Sequence, residues 1–252
     1  DITRETEAER VKASFLSSVS HELRNPLTSI KGFTATVMRD PDMAPEVRNR
    51  FLGIVVEEST RMADLIKNLR EISELSTSIA PRERKPYHLK EVLLKVSVHL
   101  EPMAREKSIT IKTTIPEGLQ KLFGSPDLIQ KVFVNIVGNA LKFTPENGRV
   151  LLDVSDEGAQ IAISVIDNGC GIPEEFRPKV FDRFFRLSPP EGTNPGTGLG
   201  LCLAKDIVTS HGGRIEVGDA PDGGACFMVF LPAGDAYVAS IIPCPPFQQK
   251  TK

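Results

Sequence analysis

No stretch of this chain stays apolar for the roughly 20 residues that a membrane-crossing helix needs. The N-terminal segment has no signal-peptide pattern either. Nor does one sign of charge dominate: 31 Lys and Arg stand against 33 Asp and Glu, for a net charge of −2. That balance gives no electrostatic basis for binding nucleic acid or an acidic membrane surface. Cysteine is sparse, and Cys170, Cys202, Cys226 and Cys244 are too far apart for a CxxC pair or a metal knuckle. They read as reduced thiols, which places the chain in the cytoplasm. Internal repeats are absent. The chain begins at Asp1 rather than Met, which suggests a piece of a longer protein, with any membrane contact made through missing parts.

The 252 residues suit one large domain or two ordinary ones. Val11, Leu16, Val19, Leu23, Leu27, Ile30, Phe33 and Val37 recur every three to five residues and predict one long helix over 5–38. The breakers Asp40, Pro41, Asp42 and Pro45 follow. A second helix is predicted over 45–76 from Phe51, Ile54, Val55, Met62, Leu65, Leu69 and Ile72, with Glu58 as the one charged residue in its stripe. Two such helices make an αα-hairpin. One hairpin buries two stripes poorly, so pairing two into a four-helix bundle, as a homodimer, is expected. A polar linker with two prolines follows, with 76–86 as the hinge candidate. Beyond it, helical stretches near 89–104, 125–142 and 197–211 mix with the strand-like runs SITIKTTI, GRVLLDVS, QIAISVID, GRIEVG and ACFMVFLP. That mixture predicts an α/β layer with a mixed or antiparallel sheet. No role is assigned to the tail, 235–252.

The segment SVSHELRNPLTSI holds His21, Glu22, Asn25 and Pro26. At about 100° per residue, His21 lies about 160° from Val19 and Leu23, and so faces solvent. Glu22 is next to it, and Asn25 is one turn on along the same face. Pro26 cannot bond the Glu22 carbonyl, a feature that costs about 3 kcal/mol in a helix interior. An exposed imidazole beside a carboxylate that can take its proton is a sensible nucleophile.

Three elements in the second half suit a nucleotide. On the predicted helix at 125–142, Asn135, Asn139 and Lys142 share a face, apart from the apolar stripe of Val132, Phe133, Ile136 and Ala140. Amide oxygens suit Mg2+ and a lysine suits phosphate. In VIDNGCGIP a strand ends at Asp167, and Gly169 and Gly171 let the backbone approach a ligand. In NPGTGLGLCLAKDIV, Gly196, Gly198 and Gly200, with Thr197 and Leu199 between them, open a helix whose free N–H groups can face phosphate. No Gly-Lys-Ser/Thr follows, so this is not a P-loop, and the glycine spacing is not GxGxxG.

Taken in order, these segments resemble the sensor histidine kinases of two-component systems. SHELRNPLTSI is similar to their phosphoacceptor box, NIVGNALKF to the asparagine box and DNGCGIP to the first glycine box. FDRFFRL (181–187) is similar to the phenylalanine box and GTGLGL to the second glycine box, and the resemblance runs over about residues 5–232. It implies an all-α hairpin forming a dimeric four-helix bundle (1–78), followed by an α/β sandwich ATP-binding domain of the Bergerat type (79–234). It also implies ATP and Mg2+ as ligands and the receiver domain of a response regulator as partner. By position, His21 would be phosphorylated and Glu22 would accept its proton. Asn139 would hold the magnesium, Asp167 would receive the adenine amino group, and Phe143 would lie near the base. Lys142 and Arg186 would contact phosphate, with Gly196, Gly198 and Gly200 lining it. Asn25 would orient water for hydrolysis of the partner's phospho-aspartate. The opening DITRETEAER resembles the junction after a PAS sensor domain. The stretch SPPEGTNP would be a proline-rich lid, with Pro195 where glycine is common. Read from its residues alone, the chain also allows a nucleotide-binding scaffold or a conformational ATPase. An intact His21–Glu22 pair argues for phosphotransfer.

Overall fold

A computed structural model describes residues 2–77, 84–187 and 196–234, with side chains in the first stretch described over 16–73. Most of the hinge candidate, the proline-rich lid 188–195 and the tail 235–252 lie outside the described residues. Among those described, no helix is long and apolar enough to cross a membrane.

Helices α1 (Ile2–Arg39) and α2 (Pro45–Thr77) form the expected hairpin. Between them the Asp40 carbonyl accepts from the Met43 N–H at 3.3 Å. Pro45 opens α2 at a position where a missing N–H costs nothing. The Phe33 and Phe51 rings meet near the turn at 5.2 Å. Helix α1 runs unbroken through Pro26, which is buried. The hairpin covers only part of its own apolar stripe. Leu65 and Ile72 are buried, but Leu16, Leu27, Val56 and Ile66 remain 55–65% exposed. The expectation that Leu16 and Leu27 face a core is therefore not met within one hairpin.

The second half is a five-stranded sheet in the order β2–β4–β5–β7–β6, comprising Thr110–Thr114, Arg149–Asp156, Gln160–Asp167, Ala225–Pro232 and Arg214–Asp219. Strand β2 pairs parallel with β4, and the other pairs are antiparallel, so the sheet is mixed. The period-2 alternation decides which face is covered. Val150, Leu152, Val154, Ile161, Ile163, Val165, Phe227, Val229 and Leu231 all point to the buried side. Helices α3 (Leu89–Glu106), α4 (Pro126–Phe143) and α5 (Gly200–Ser210) pack on that side. Helix α4 lies between α3 and α5 and against the sheet, so Ile129, Val132, Phe133, Ile136 and Leu141 are fully enclosed. A small two-stranded ladder, β1 (Lys85–Tyr87) with β3 (Leu122–Gly124), closes one end. These two three-residue strands have no sequence signal, because they are too short to show alternation.

His211, just past the end of α5, ties that end to the start of α4. Its Nε2 accepts from the Ser125 N–H at 3.1 Å, and its Nδ1 lies 2.8 Å from the Ile207 carbonyl. The ring fits because residue 124 is glycine: a Cβ there would lie 2.4 Å from the His211 ring. Burial holds the His211 pKa below its ordinary value, the Ile207 carbonyl opposes that, and Arg84 adds to the lowering. A histidine depressed in the folded state charges more readily when unfolded. Its contribution is thus complete above about pH 6.5 and is lost as pH falls below that value. His211→Ala should cost about 1–3 kcal/mol, since it empties a buried site and removes the partner of the half-buried Ser125 N–H. Urea unfolding at several pH values should show that loss at neutral pH and a flatter acid limb in the variant.

Candidate functional site

The site grows from the one polar stripe of α4. Asn135, Asn139 and Lys142 emerge half-buried along it, with Phe143 at the helix end. The Lys142 ammonium sits 5.1 Å from the centre of the Phe143 ring. The last turn is held by Lys107, whose Nζ donates to the carbonyls of Leu141 (3.1 Å), Lys142 (2.6 Å) and Thr144 (3.1 Å). A cation at a helix C-terminus offsets the partial charge of the free carbonyls. Burial is the main cause that pushes the Lys142 pKa down to about 8, followed by the charges of Arg186, Arg61 and Lys107. The site is therefore rich in positive charge and suited to an anion.

Asp167 ends β5 and is buried, with only 6% of its surface exposed. Its Oδ1 accepts from the Gly169 N–H at 2.9 Å and the Ala225 N–H at 3.1 Å. Burial raises its pKa, and the Ala225 and Gly169 N–H groups oppose that rise. Gly171 (φ 69°) turns the chain beyond it, against the Gly224 carbonyl. Gly224 is a part of this corner with no motif to reveal it. It has φ +86°, and a Cβ there would fall 2.2 Å from the Asp167 carbonyl oxygen.

The third side comes from 181–187 and 196–200. Phe184, itself at φ 64°, donates its N–H to the Gly198 carbonyl at 2.8 Å. A Cβ on Gly198 would lie 2.8 Å from the Phe184 backbone, so the two segments fit only with glycine there. Phe181 packs edge-on against Phe227 and Phe185 tilts against Phe176, so these rings serve as packing. Cβ atoms on Gly196 and Gly200 would sit 3.1 Å from Lys142 Nζ and 3.0 Å from Asn135 Oδ1. The glycine run thus lies directly over the polar stripe of α4. Leu199 is fully buried, and α5 starts at Gly200 without a side-chain cap, which leaves its first N–H groups free for an anion.

The structure also brings Glu22, the neighbour of His21, to this site. His21 and Asn25 are exposed, with Asn25 Nδ2 3.5 Å from His21 Nδ1, at the limit of a hydrogen bond. Glu22, by contrast, is only 8% exposed. Arg186 donates to it at 2.5 Å across the two halves of the chain, and Arg186 Nη1 also donates to the Gly196 carbonyl at 3.3 Å. Arg61 of α2 stands 3.5 Å from the other Glu22 oxygen and 3.7 Å from Glu58. Asn68 donates to Thr197 Oγ1 at 3.3 Å, and Lys131 pairs with Glu71 at 2.6 Å. Sequence reasoning misses Arg61, Asn68, Glu71 and Lys131, which lie on ordinary polar helix faces. Glu58, a charge within an apolar stripe, is the only visible hint.

Residues 124–235 match the family described as histidine kinase-, DNA gyrase B-, and HSP90-like ATPase, and residues 11–78 match the His Kinase A (phospho-acceptor) domain. The sensor protein KdpD of Clostridium acetobutylicum is 32% identical over 234 residues, covering 90% of this chain and 25% of its own length. This chain spans about a quarter to a third of the first curated relatives it matches. The solved catalytic domain of the histidine kinase ThkA is 30% identical, with a TM-score of 0.54 over 60% of this chain and 99% of that one. ThkA in complex with the response regulator protein TrrA superposes with a TM-score of 0.73 at 28% identity, covering 91% of this chain and 64% of that one.

The corner that holds Asp167 can be tested through its packing. Gly224→Ala should destabilise the fold by about 1–3 kcal/mol, because it combines a left-handed φ with a backbone clash. Gly218→Ala has nothing within 4 Å of the added Cβ. It should stay within about 0.5 kcal/mol of wild type in the same thermal or urea unfolding measurement.

Proposed function

The chain belongs to the histidine kinases of two-component systems, and from that premise we propose that it phosphorylates His21 from Mg-ATP. The phosphoryl group then passes to an aspartate on a response-regulator receiver domain. The observation that carries this reading is the approach of the two halves: an exposed histidine whose neighbour Glu22 is held by Arg186, itself bonded to the Gly196 carbonyl of the glycine run.

In this reading residues 1–78 carry the phosphoacceptor and 79–234 bind the nucleotide. Asp167 accepts from the adenine amino group and Phe143 lies by the base. Gly169 and Gly171 keep the backbone close. Lys142, Arg186, Thr197 and the glycine run of Gly196, Gly198 and Gly200, with Leu199 packed beneath, line the phosphates. Among the described residues no three His, Cys, Asp or Glu converge as a metal cage. The Asn139 amide oxygen, with Asn135 beside it on the same stripe, would hold a magnesium ion, since hard oxygen donors suit it. When bound, it neutralises charge on the phosphates. Neutral His21 attacks the terminal phosphorus, the bond to ADP breaks, and Glu22 takes the ring proton. The half-exposed Leu16, Leu27, Val56 and Ile66 support a second hairpin packed on this one, that is, a homodimer. The ThkA complex supports a response regulator as partner. Asn25, one turn from His21, can hold a water against a phospho-aspartate, which supports a phosphatase activity toward that regulator. The reaction belongs in the cytoplasm, where ATP is.

Incubation with γ-labelled ATP should label the wild-type chain with a phosphate that is lost in acid and kept in alkali. His21→Ala should remove the label. Steady ADP release without labelled protein would instead indicate a conformational ATPase.

Lys142 supplies a second check. Its pKa of about 8 is low because the ammonium is buried among other cations. Phosphates nearby favour the ammonium, so binding must raise that value and take up protons. ATP affinity should therefore fall as pH rises past about 8. Calorimetry in buffers of different ionisation heat should show proton uptake near that pH, and Lys142→Ala should lose it.

A further inference from the structure

Helix α4 ends at Phe143, and the residues that follow supply no cap of their own. Pro145 has no N–H to offer the Leu141 carbonyl one turn back. Thr144 is extended (φ −76°, ψ 134°), as the residue before a proline prefers, so the chain leaves the helix instead of folding back over it. No glycine stands just past the end to close it in a left-handed turn. The carbonyls of Leu141 and Lys142 are therefore left without a partner from their own helix.

Lys107 fills that gap from more than thirty residues away. An ammonium has three N–H donors, and three carbonyls receive them: Leu141 at 3.1 Å, Lys142 at 2.6 Å and Thr144 at 3.1 Å. The backbone around this contact is strained. Ser108 and Asn147, at φ 54° and 60°, are two of the three non-glycine residues with a left-handed φ among the described residues. Such residues persist only where the surrounding structure holds them. Here the Asn147 N–H donates to the Lys107 carbonyl and the Thr110 N–H to the Gly148 carbonyl, both at 3.0 Å. A Cβ on Gly148 would lie 2.3 Å from the Thr144 methyl and 2.9 Å from Asn168 Oδ1. On the other side, a Cβ on Gly169 would lie 2.6 Å from the Phe143 carbonyl oxygen. The last turn of α4 is thus clamped between Lys107 and the corner that holds Asp167.

We propose that Lys107 is a positioning residue for Lys142: by capping α4 from outside the helix, it presents the Lys142 ammonium to phosphate already ordered. All three of its donors are used on carbonyls, so it acts through the turn and not by its own contact with phosphate. Without the cap the last turn frays, and ATP must order that turn before Lys142 can hold it. Asn139 and Asn135 lie one and two turns earlier, in the enclosed part of α4, and keep their places. This inference rests on the reading of the α4 stripe as the nucleotide site.

The test uses the full chain and ATP. Lys107→Met keeps the aliphatic stem and removes the donors. It should weaken ATP binding about tenfold by calorimetry and raise KM for His21 labelling to match, with the rate at saturating ATP within about twofold of wild type. Lys107→Arg still carries donors to the carbonyls and should recover most of the affinity. In a Lys142→Ala background, Lys107→Met should change ATP affinity by less than about twofold, because the residue it positions is gone. Hydrogen exchange without nucleotide separates positioning from a simple loss of charge near the phosphates. The Thr144 amide should exchange about tenfold faster in Lys107→Met, and the Asn135 amide should not change. Unchanged ATP affinity in Lys107→Met would overturn the proposal, as would an equal loss in the Lys142→Ala background or an unchanged Thr144 amide. If Lys107→Met does not fold, Lys107→Gln, with a shorter donor that reaches fewer carbonyls, serves the same comparisons. If the wild-type chain binds no ATP, the kinase reading fails, and the exchange of the Thr144 amide still decides whether Lys107 holds the turn.

Discussion

Helix α4 is enclosed by α3, α5 and the sheet, and the strip of its circumference left over is where the polar chemistry collects. An apolar helix surface covering most of the circumference anchors α4 rigidly. The residues on the remaining stripe, Lys131, Asn135, Asn139 and Lys142, then project from a fixed platform. The other parts of the site take their positions from it. The Lys107 ammonium fixes its last turn, His211 fixes its first, and the glycine run lies against its open side. A ligand site on such a platform has little freedom to drift.

The two buried carboxylates of the site are held in contrasting ways. Asp167 is satisfied by backbone N–H groups from its own sheet and corner, where only glycine fits at 224. Those donors cannot move without unfolding the corner, so Asp167 is a fixed feature. Glu22 is held by side-chain cations, one of them from the other half of the chain. Such a pair is strong only while both partners stay in place, and separating the halves exposes both to water.

Much of the architecture is legible because its elements are long and periodic. The run ACFMVFLP reads as a strand and is β7 over the same residues, and the two helix stripes give α1 and α2 to within a few residues. Strands β1 and β3 are not legible, since three residues carry no period and their pairing joins segments far apart in sequence. The glycines that sit in motifs are visible, whereas Gly124 and Gly224 are not. Their need for glycine comes from His211 and Asp167, which approach them only in the folded chain.

What the sequence determined by itself is the set of local features. These are the exposed position of His21, opposite Val19 and Leu23, the polar stripe of α4, and the glycine runs before α5, all set by helix periodicity and backbone sterics within a few residues. The partners of Glu22 were decided only by tertiary structure. Adjacency to His21 on a helix face gives no sign that Glu22 would be buried, because its burial comes from Arg186, which is 164 residues away, and from Arg61 on the facing helix. Long-range charge pairing depends on how whole elements dock, and docking depends on apolar faces such as that of Leu65 and Ile72, whose partner no local pattern names.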